Sequence, residues 1–97
     1  MRHALLYTKD DCPWCDKAKE LLAKRQVSNV ALYNVGRDYS PAQFKVLAES
    51  YNWTPATVPM IFYRNDANES WVFLGGYDKL EKYFEWLDEE TAYELGG

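Results

Sequence analysis

The sequence predicts an α/β chain in the order β-α-β-α-β-β-α, a four-stranded mixed sheet with helices on both faces. Three observations carry this. Short apolar runs of β-forming residues alternate with segments whose apolar positions recur every three and four residues. Two of those helical segments open on a proline, which suits a first helical position. The last two strand-like runs flank a polar turn, the pattern of a hairpin. Alternation of strand and helix favours parallel pairing of the first two strands, and the hairpin then adds antiparallel partners.

Each element has its own signal. "ALLYT" (Ala4 to Thr8) reads as a buried strand, and "KDDC" as a turn into a helix. From Pro13 to about Arg25 the pattern is helical, with Cys15, Ala18, Leu21, Leu22 and Arg25 on one face. "VALYNV" (Val30 to Val35) is the second strand. Ser40 caps the second helix and Pro41 opens it, with Phe44, Leu47, Ala48 and Tyr51 as its apolar stripe. "NWTPATVP" breaks the pattern with two prolines in five positions. "MIFY" (Met60 to Tyr63) and "WVFLG" (Trp71 to Gly75) are the hairpin strands around "RNDANES". Asp78 is expected to cap the last helix, whose face is Leu80, Tyr83, Phe84 and Leu87. The tail "TAYELGG" is expected to fray.

Composition sets further bounds. The 97 residues suit one domain spanning 1–97, and a hydrophobic fraction of 47% with 8 Tyr, 4 Trp and 4 Phe supports a packed core. The formal net charge of -4 argues against a nucleic-acid partner, which usually calls for a basic surface. No apolar run approaches the ~20 residues of a membrane span. The opening "MRHALLYTKDDC" has too short an apolar run for a signal peptide and no small-residue cleavage site. The expected location is therefore the cytoplasm, where a cysteine pair is seldom a structural staple.

The chemistry centres on "CPWC", Cys12 to Cys15. A structural zinc site needs four ligands, and the chain offers two Cys and one His. His3 begins the first strand, away from the pair, so no metal is assigned. Two inert buried thiols would not account for a proline between them at a helix start. Redox exchange accounts for every part. The first sulfur stands over unpaired backbone N–H groups, where the helix dipole favours negative charge. A free thiol of pKa ~8.5 is only about 3% thiolate at neutral pH. Lowering it to near 5 makes the thiolate dominant and is worth roughly 4–5 kcal/mol. Such a thiolate at Cys12 attacks a disulfide, and Cys15, one turn later on the apolar face, resolves the mixed disulfide.

With these residues in place, the sequence resembles the glutaredoxins, the glutathione-coupled branch of the thioredoxin fold. "YTKDDCPWC" is similar to the family's strand, Lys and C-P-[YFW]-C active site. "TVPMIF" resembles its T-V-P-x-[VI]-[FY] segment, and "GGYDKL" its G-G-x-[DST]-[DE]-L segment. The three in order, in a chain of this size, make the likeness specific.

The resemblance implies a site. Val58-Pro59 is expected to be a cis peptide facing the cysteine pair, with Thr57 and Val58 offering backbone to an extended glutathione; the plain alternative is an ordinary turn proline. Gly76, Tyr77 and Asp78 are expected to receive the γ-glutamyl end, carboxylate on free N–H groups and amino group on Asp78. Otherwise Asp78 is just a helix cap, and Gly75 and Gly76 a chain reversal. Lys9 is expected to approach the Cys12 thiolate and the glycyl carboxylate, rather than being an idle surface lysine. Trp14 is expected to be exposed and to pack on substrate. Arg37 and Gln43 sit in a loosely matching segment and are not assigned. Asp10 and Asp11 depart from the family, which often has Pro or an aromatic before the first Cys; nearby anions oppose thiolate formation unless they are engaged elsewhere.

The function implied is a glutathione-dependent thiol–disulfide oxidoreductase. It would reduce protein disulfides and glutathione mixed disulfides as a monomer, with no tightly bound cofactor and glutathione as co-substrate. Ribonucleotide reductase is a target suggested by family analogy alone. A redoxin served by thioredoxin reductase is the nearest alternative, distinguished by a different segment at "GGYDKL". An iron–sulfur carrier is a third reading; Pro13 and the intact Cys15 argue against it.

Overall fold

The computed structural model describes residues 1–96; Gly97 and the side chains from 89 onward lie outside what is described. The elements are β1 (His3–Thr8), α1 (Pro13–Lys24), β2 (Asn29–Asn34), α2 (Pro41–Ser50), β3 (Met60–Arg64), β4 (Val72–Gly75) and α3 (Tyr77–Gly96). The sheet order is β2-β1-β3-β4. β1 pairs in parallel with β2 and antiparallel with β3, which pairs antiparallel with β4. The mixed sheet and the element order are those expected, with strand and helix ends shifted by one residue or so.

Alternation along the central strands sorts the core into two layers. Ala4 and Leu6 of β1 stand opposite Tyr63 and Ile61 of β3. These four pack with Ala18 and Leu22 of α1 and Leu80 and Phe84 of α3. Tyr7, Met60 and Phe62 point the other way and meet Phe44 and Ala48 of α2. Helices therefore cover both faces, α1 and α3 on one and α2 on the other. The second layer is largely aromatic, with Tyr7 5.2 to 5.6 Å from the rings of Tyr33, Tyr39 and Phe44.

Local chemistry sets the ends of the elements. Pro13 and Pro41 open α1 and α2, and the Ser40 hydroxyl accepts from the Gln43 N–H at 3.5 Å. The expected Asp78 cap is not realised. Tyr77 is already helical, the Gly76 carbonyl accepts the first helical bond from Leu80 N–H at 3.2 Å, and Asp78 lies in the first turn. Gly75, the last residue of β4, reverses the chain at φ 118, so the helix starts ahead of Asp78. There its carboxylate still complements the positive end of the helix. The segment expected to fray continues as helical backbone to Gly96.

The helices of the first layer are tied at one end by Arg25, just past α1. Its guanidinium donates two bonds of 2.7 Å to the Asp88 carboxylate of α3 and stands 5.1 Å from the Phe84 ring. The hydrogen bonds from Arg25 hold the Asp88 carboxyl below the ordinary Asp value of 3.8. A carboxyl depressed by folding stabilises the fold above its unfolded pKa, and loses that contribution as pH falls through its folded value. Asp88→Asn is thus expected to lower Tm slightly at pH 7, with the gap to the parent closing as pH falls below 3.8. Thermal melts across that range check it; a gap independent of pH would assign the loss to packing.

Candidate active site

The site begins where β1 ends. Asp11 takes a left-handed turn at φ 54, a conformation that Asp tolerates better than most residues, and delivers Cys12 to the start of α1. Cys12 is the N-cap, extended at φ -118 and ψ 95, and its carbonyl accepts from Asp16 N–H at 3.1 Å. The Cys15 N–H donates to Cys12 Sγ at 3.2 Å. In a reduced protein the same N–H would face a thiolate at that place, with the helix dipole acting in the same sense. Here the two sulfurs are joined as a disulfide, with Cα atoms 5.2 Å apart. Cys15 is fully buried while Cys12 is half-buried. That order of access is what attack by Cys12 and resolution by Cys15 require.

Sheet register gathers the rest of the site. β1 runs toward the cysteines, and its Tyr7 lies opposite Met60, the first residue of β3. The loop before Met60 therefore reaches the same edge as the loop after Thr8. Ile61 in turn lies opposite Gly75, so the start of α3 arrives there too. Three segments some twenty to sixty residues apart thus meet at one end of the sheet. Val58-Pro59 is cis, as expected, and Thr54-Pro55 is a second cis peptide that the sequence pattern did not signal.

A cleft of about 300 Å³ lies between these segments. One wall is Trp14 of α1; the floor is Thr57, Val58 and Pro59; the other wall is Gly76, Tyr77 and Asp78 of α3. These are seven of the eight residues that the resemblance picked out for glutathione. Trp14 is 55% exposed, its ring 5.6 Å from that of Tyr77 and beneath Lys17 Nζ at 4.5 Å. The eighth, Lys9, lies elsewhere. It lines a larger cavity, of about 830 Å³, which shares Thr57 and Val58 with the first. The two cavities thus adjoin across the Thr57–Val58 backbone.

Trp53 is the lining residue that sequence reasoning missed. Its Nε1 donates to the Thr57 carbonyl at 2.9 Å, bracing the loop before Pro59. Its ring also packs under the glycines that open α3: a Cβ on Gly75 would meet the ring at 3.2 Å, and one on Gly76 at 3.6 Å. The available signal was a large aromatic inside a proline-rich break, where a loop ordinarily carries small polar residues.

Of the two anions before Cys12, Asp10 is held aside. Asp10 accepts from Asn34 Nδ2 at 2.9 Å and lies 3.9 Å from the Arg37 guanidinium. Asn34 is itself fixed, its N–H donating to Asp38 at 3.1 Å. Arg37, considered for substrate in the sequence, is engaged with Asp10 instead. His3 is at the opposite end of β1, where Nδ1 is 3.2 Å from Arg64. Among the described residues no group of three or more His, Cys, Asp or Glu side chains is placed to hold a metal ion.

A cysteine pair at a helix start, set beside a cis-proline loop on a mixed four-stranded sheet, defines a thiol–disulfide exchange site. A glutaredoxin family model matches residues 4–67, about two thirds of the chain. The chain belongs to the glutaredoxin family, and with its Cys12–Cys15 pair it is a thiol–disulfide oxidoreductase. Among solved structures it is similar to the solution structure of a glutaredoxin from Brucella melitensis, with a TM-score of 0.58 at 20% identity. That match covers 98% of this chain and 91% of the other, and it shows a shared thioredoxin-like fold. A comparison with curated proteins finds no match. In the described structure no helix is long and apolar enough to cross a membrane.

Gly75 is the position where geometry leaves least room. A side chain there would adopt φ 118 and press on Trp53 and Lys79 at 3.2 Å. Gly75→Ala is expected to cost roughly 1–3 kcal/mol in urea unfolding and to shift tryptophan fluorescence. An unchanged midpoint would show that Trp53 does not brace this turn.

Proposed function

We propose that the protein uses glutathione to reduce protein disulfides and glutathione mixed disulfides through Cys12 and Cys15. The observation that carries this is the cleft between Trp14, the Thr57–Pro59 backbone and the start of α3. Its volume is at the low end for small-molecule pockets, which suits a tripeptide-sized ligand. Glutathione lies across Val58 in extended form, its cysteine toward Cys12. The γ-glutamyl carboxylate takes the N–H groups that open α3, and Asp78 takes the amino group. The glycyl carboxylate extends past Thr57 to Lys9, on the side of the larger cavity. Trp14 and Tyr77 cover the ligand, and Trp53 holds the floor in place.

The reaction balances as two thiol–disulfide exchanges. The Cys12 thiolate attacks one sulfur of the target disulfide and expels the other as a thiolate. The Cys15 thiolate then attacks Cys12 Sγ, freeing the second target sulfur and closing the Cys12–Cys15 bond. Two electrons pass to the target, and the released thiolates take up the two thiol protons. One glutathione thiolate reopens the pair by attacking Cys12, and a second removes the first as oxidised glutathione. No tightly bound cofactor enters this scheme. A glutathione donor suits a reducing compartment, the cytoplasm.

Cys12→Ser is expected to abolish every exchange. Cys15→Ser is expected to lose protein disulfide reduction but keep most activity on glutathione mixed disulfides, which need only the first thiol. An assay with glutathione, glutathione reductase and NADPH measures both. Identical behaviour of the two variants would refute the roles assigned. Rapid reduction by thioredoxin reductase, with no turnover on glutathione, would replace the proposed donor.

A further inference from the structure

We infer that the larger cavity beside the site is a docking pocket for a protein substrate. It would take an apolar residue, then an acidic one, on the C-terminal side of the reacting cysteine. The inference rests on the glutathione reading above, because that reading fixes the direction in which a substrate chain crosses Val58.

Glutathione leaves this cavity unfilled. Its chain ends at glycine, which has no side chain, and its last carboxylate is met by Lys9 at the near wall. The whole cavity, with Lys9 in its lining, has a volume of about 830 Å³, and it is lined in part by Phe44 of α2 and by Pro55 and Ala56 of the adjoining loop. A polypeptide substrate has no such end. Its cysteine takes the place of the glutathione cysteine, the next residue takes the place of glycine, and the chain then runs on between α2 and the loop. Its next side chain enters an apolar space, with backbone pairing along Thr57 and Val58 holding the register.

Charge selects the residue after that. Lys9 and Lys45 both line this cavity, and neither makes an ion pair among the described residues. Glu49 is the one acidic residue of the lining. On a chain of net charge -4, two unpaired lysines beside an apolar hollow favour a substrate with an acidic group. Lys9 stands beside the position next to the cysteine, where a peptide presents only backbone, so Lys45 on α2 is the residue placed to read the one further along.

The test is the rate at which the reduced protein is oxidised by symmetric peptide disulfides. Each turnover converts one peptide disulfide to two peptide thiols and closes Cys12–Cys15. The probes are the disulfides of acetyl-Cys-Gly-Leu-Glu-amide and acetyl-Cys-Gly-Ser-Ser-amide, with oxidised glutathione and bis(2-hydroxyethyl) disulfide alongside. The Leu-Glu peptide is expected to react about tenfold faster than the Ser-Ser peptide, the factor for burying part of one leucine. Lys45→Glu is expected to remove about threefold or more of that advantage while leaving the oxidised glutathione rate within about twofold. Lys45 is exposed on α2, so the fold tolerates the change. Equal rates for the two peptides would overturn the pocket, as would a Lys45→Glu variant slowed equally on glutathione. If oxidised glutathione reacts no faster than bis(2-hydroxyethyl) disulfide while the peptide preference persists, the pocket stands and the glutathione cleft falls.

Discussion

The pairing of β1 with β3 is the constraint on which the molecule turns. β1 is central, bonded on one side to β2 and on the other to β3. Its antiparallel register puts Tyr7 against Met60 and Ala4 against Tyr63. One consequence is the core: with that register, alternate residues of both strands face the same helix layer. The other is the site: the end of β1 and the beginning of β3 are the same end of the sheet. A slip of β3 by one residue would turn Ile61 and Tyr63 away from α1 and α3 and shift Pro59 relative to the cysteines at the same time. Fold and chemistry are fixed by the same set of hydrogen bonds.

Electrostatics at that end depend on where charges are tethered rather than on how many there are. The chain is acidic, and two of its carboxylates directly precede Cys12. Asn34 and Arg37 hold Asp10 toward the end of β2. Cys12 Sγ itself accepts from the N–H of Cys15 at the open end of α1. Lys9, by contrast, makes no ion pair among the described residues and lines the larger cavity. The arrangement favours anions at Cys12 and beyond Lys9 while the net charge of the protein remains negative.

Trp53 links the two halves of the site. Its indole N–H fixes the backbone at Thr57, and its ring fills the space under Gly75 and Gly76. One side chain thereby sets the separation between the cis-proline loop and the opening of α3, and hence the width of the cleft. Glycine is needed at 75, where a Cβ would meet the ring at 3.2 Å and φ is 118, whereas a Cβ on Gly76 would make ordinary contact at 3.6 Å. The Gly-Gly pair also moves the helix start ahead of Asp78, turning an expected cap into a first-turn carboxylate.

The sequence by itself determined the order of elements, the helix starts at Pro13 and Pro41, the apolar faces and the identity of the cysteine pair. Those depend on spacings of two to four residues, a range over which backbone geometry is nearly fixed. The motifs "TVPMIF" and "GGYDKL", with Trp14 between the cysteines, also marked by resemblance seven of the residues that line the cleft. What only the tertiary structure decided involves contacts across many residues. The sequence did not reveal that Trp53 braces Thr57 and the α3 glycines, that Asn34 and Arg37 restrain Asp10, or that Lys9 faces the larger cavity rather than the cleft. Each depends on which side chains converge once four strands are in register. Local spacing does not specify such convergence, because chain segments twenty to sixty residues apart meet only through the packed sheet.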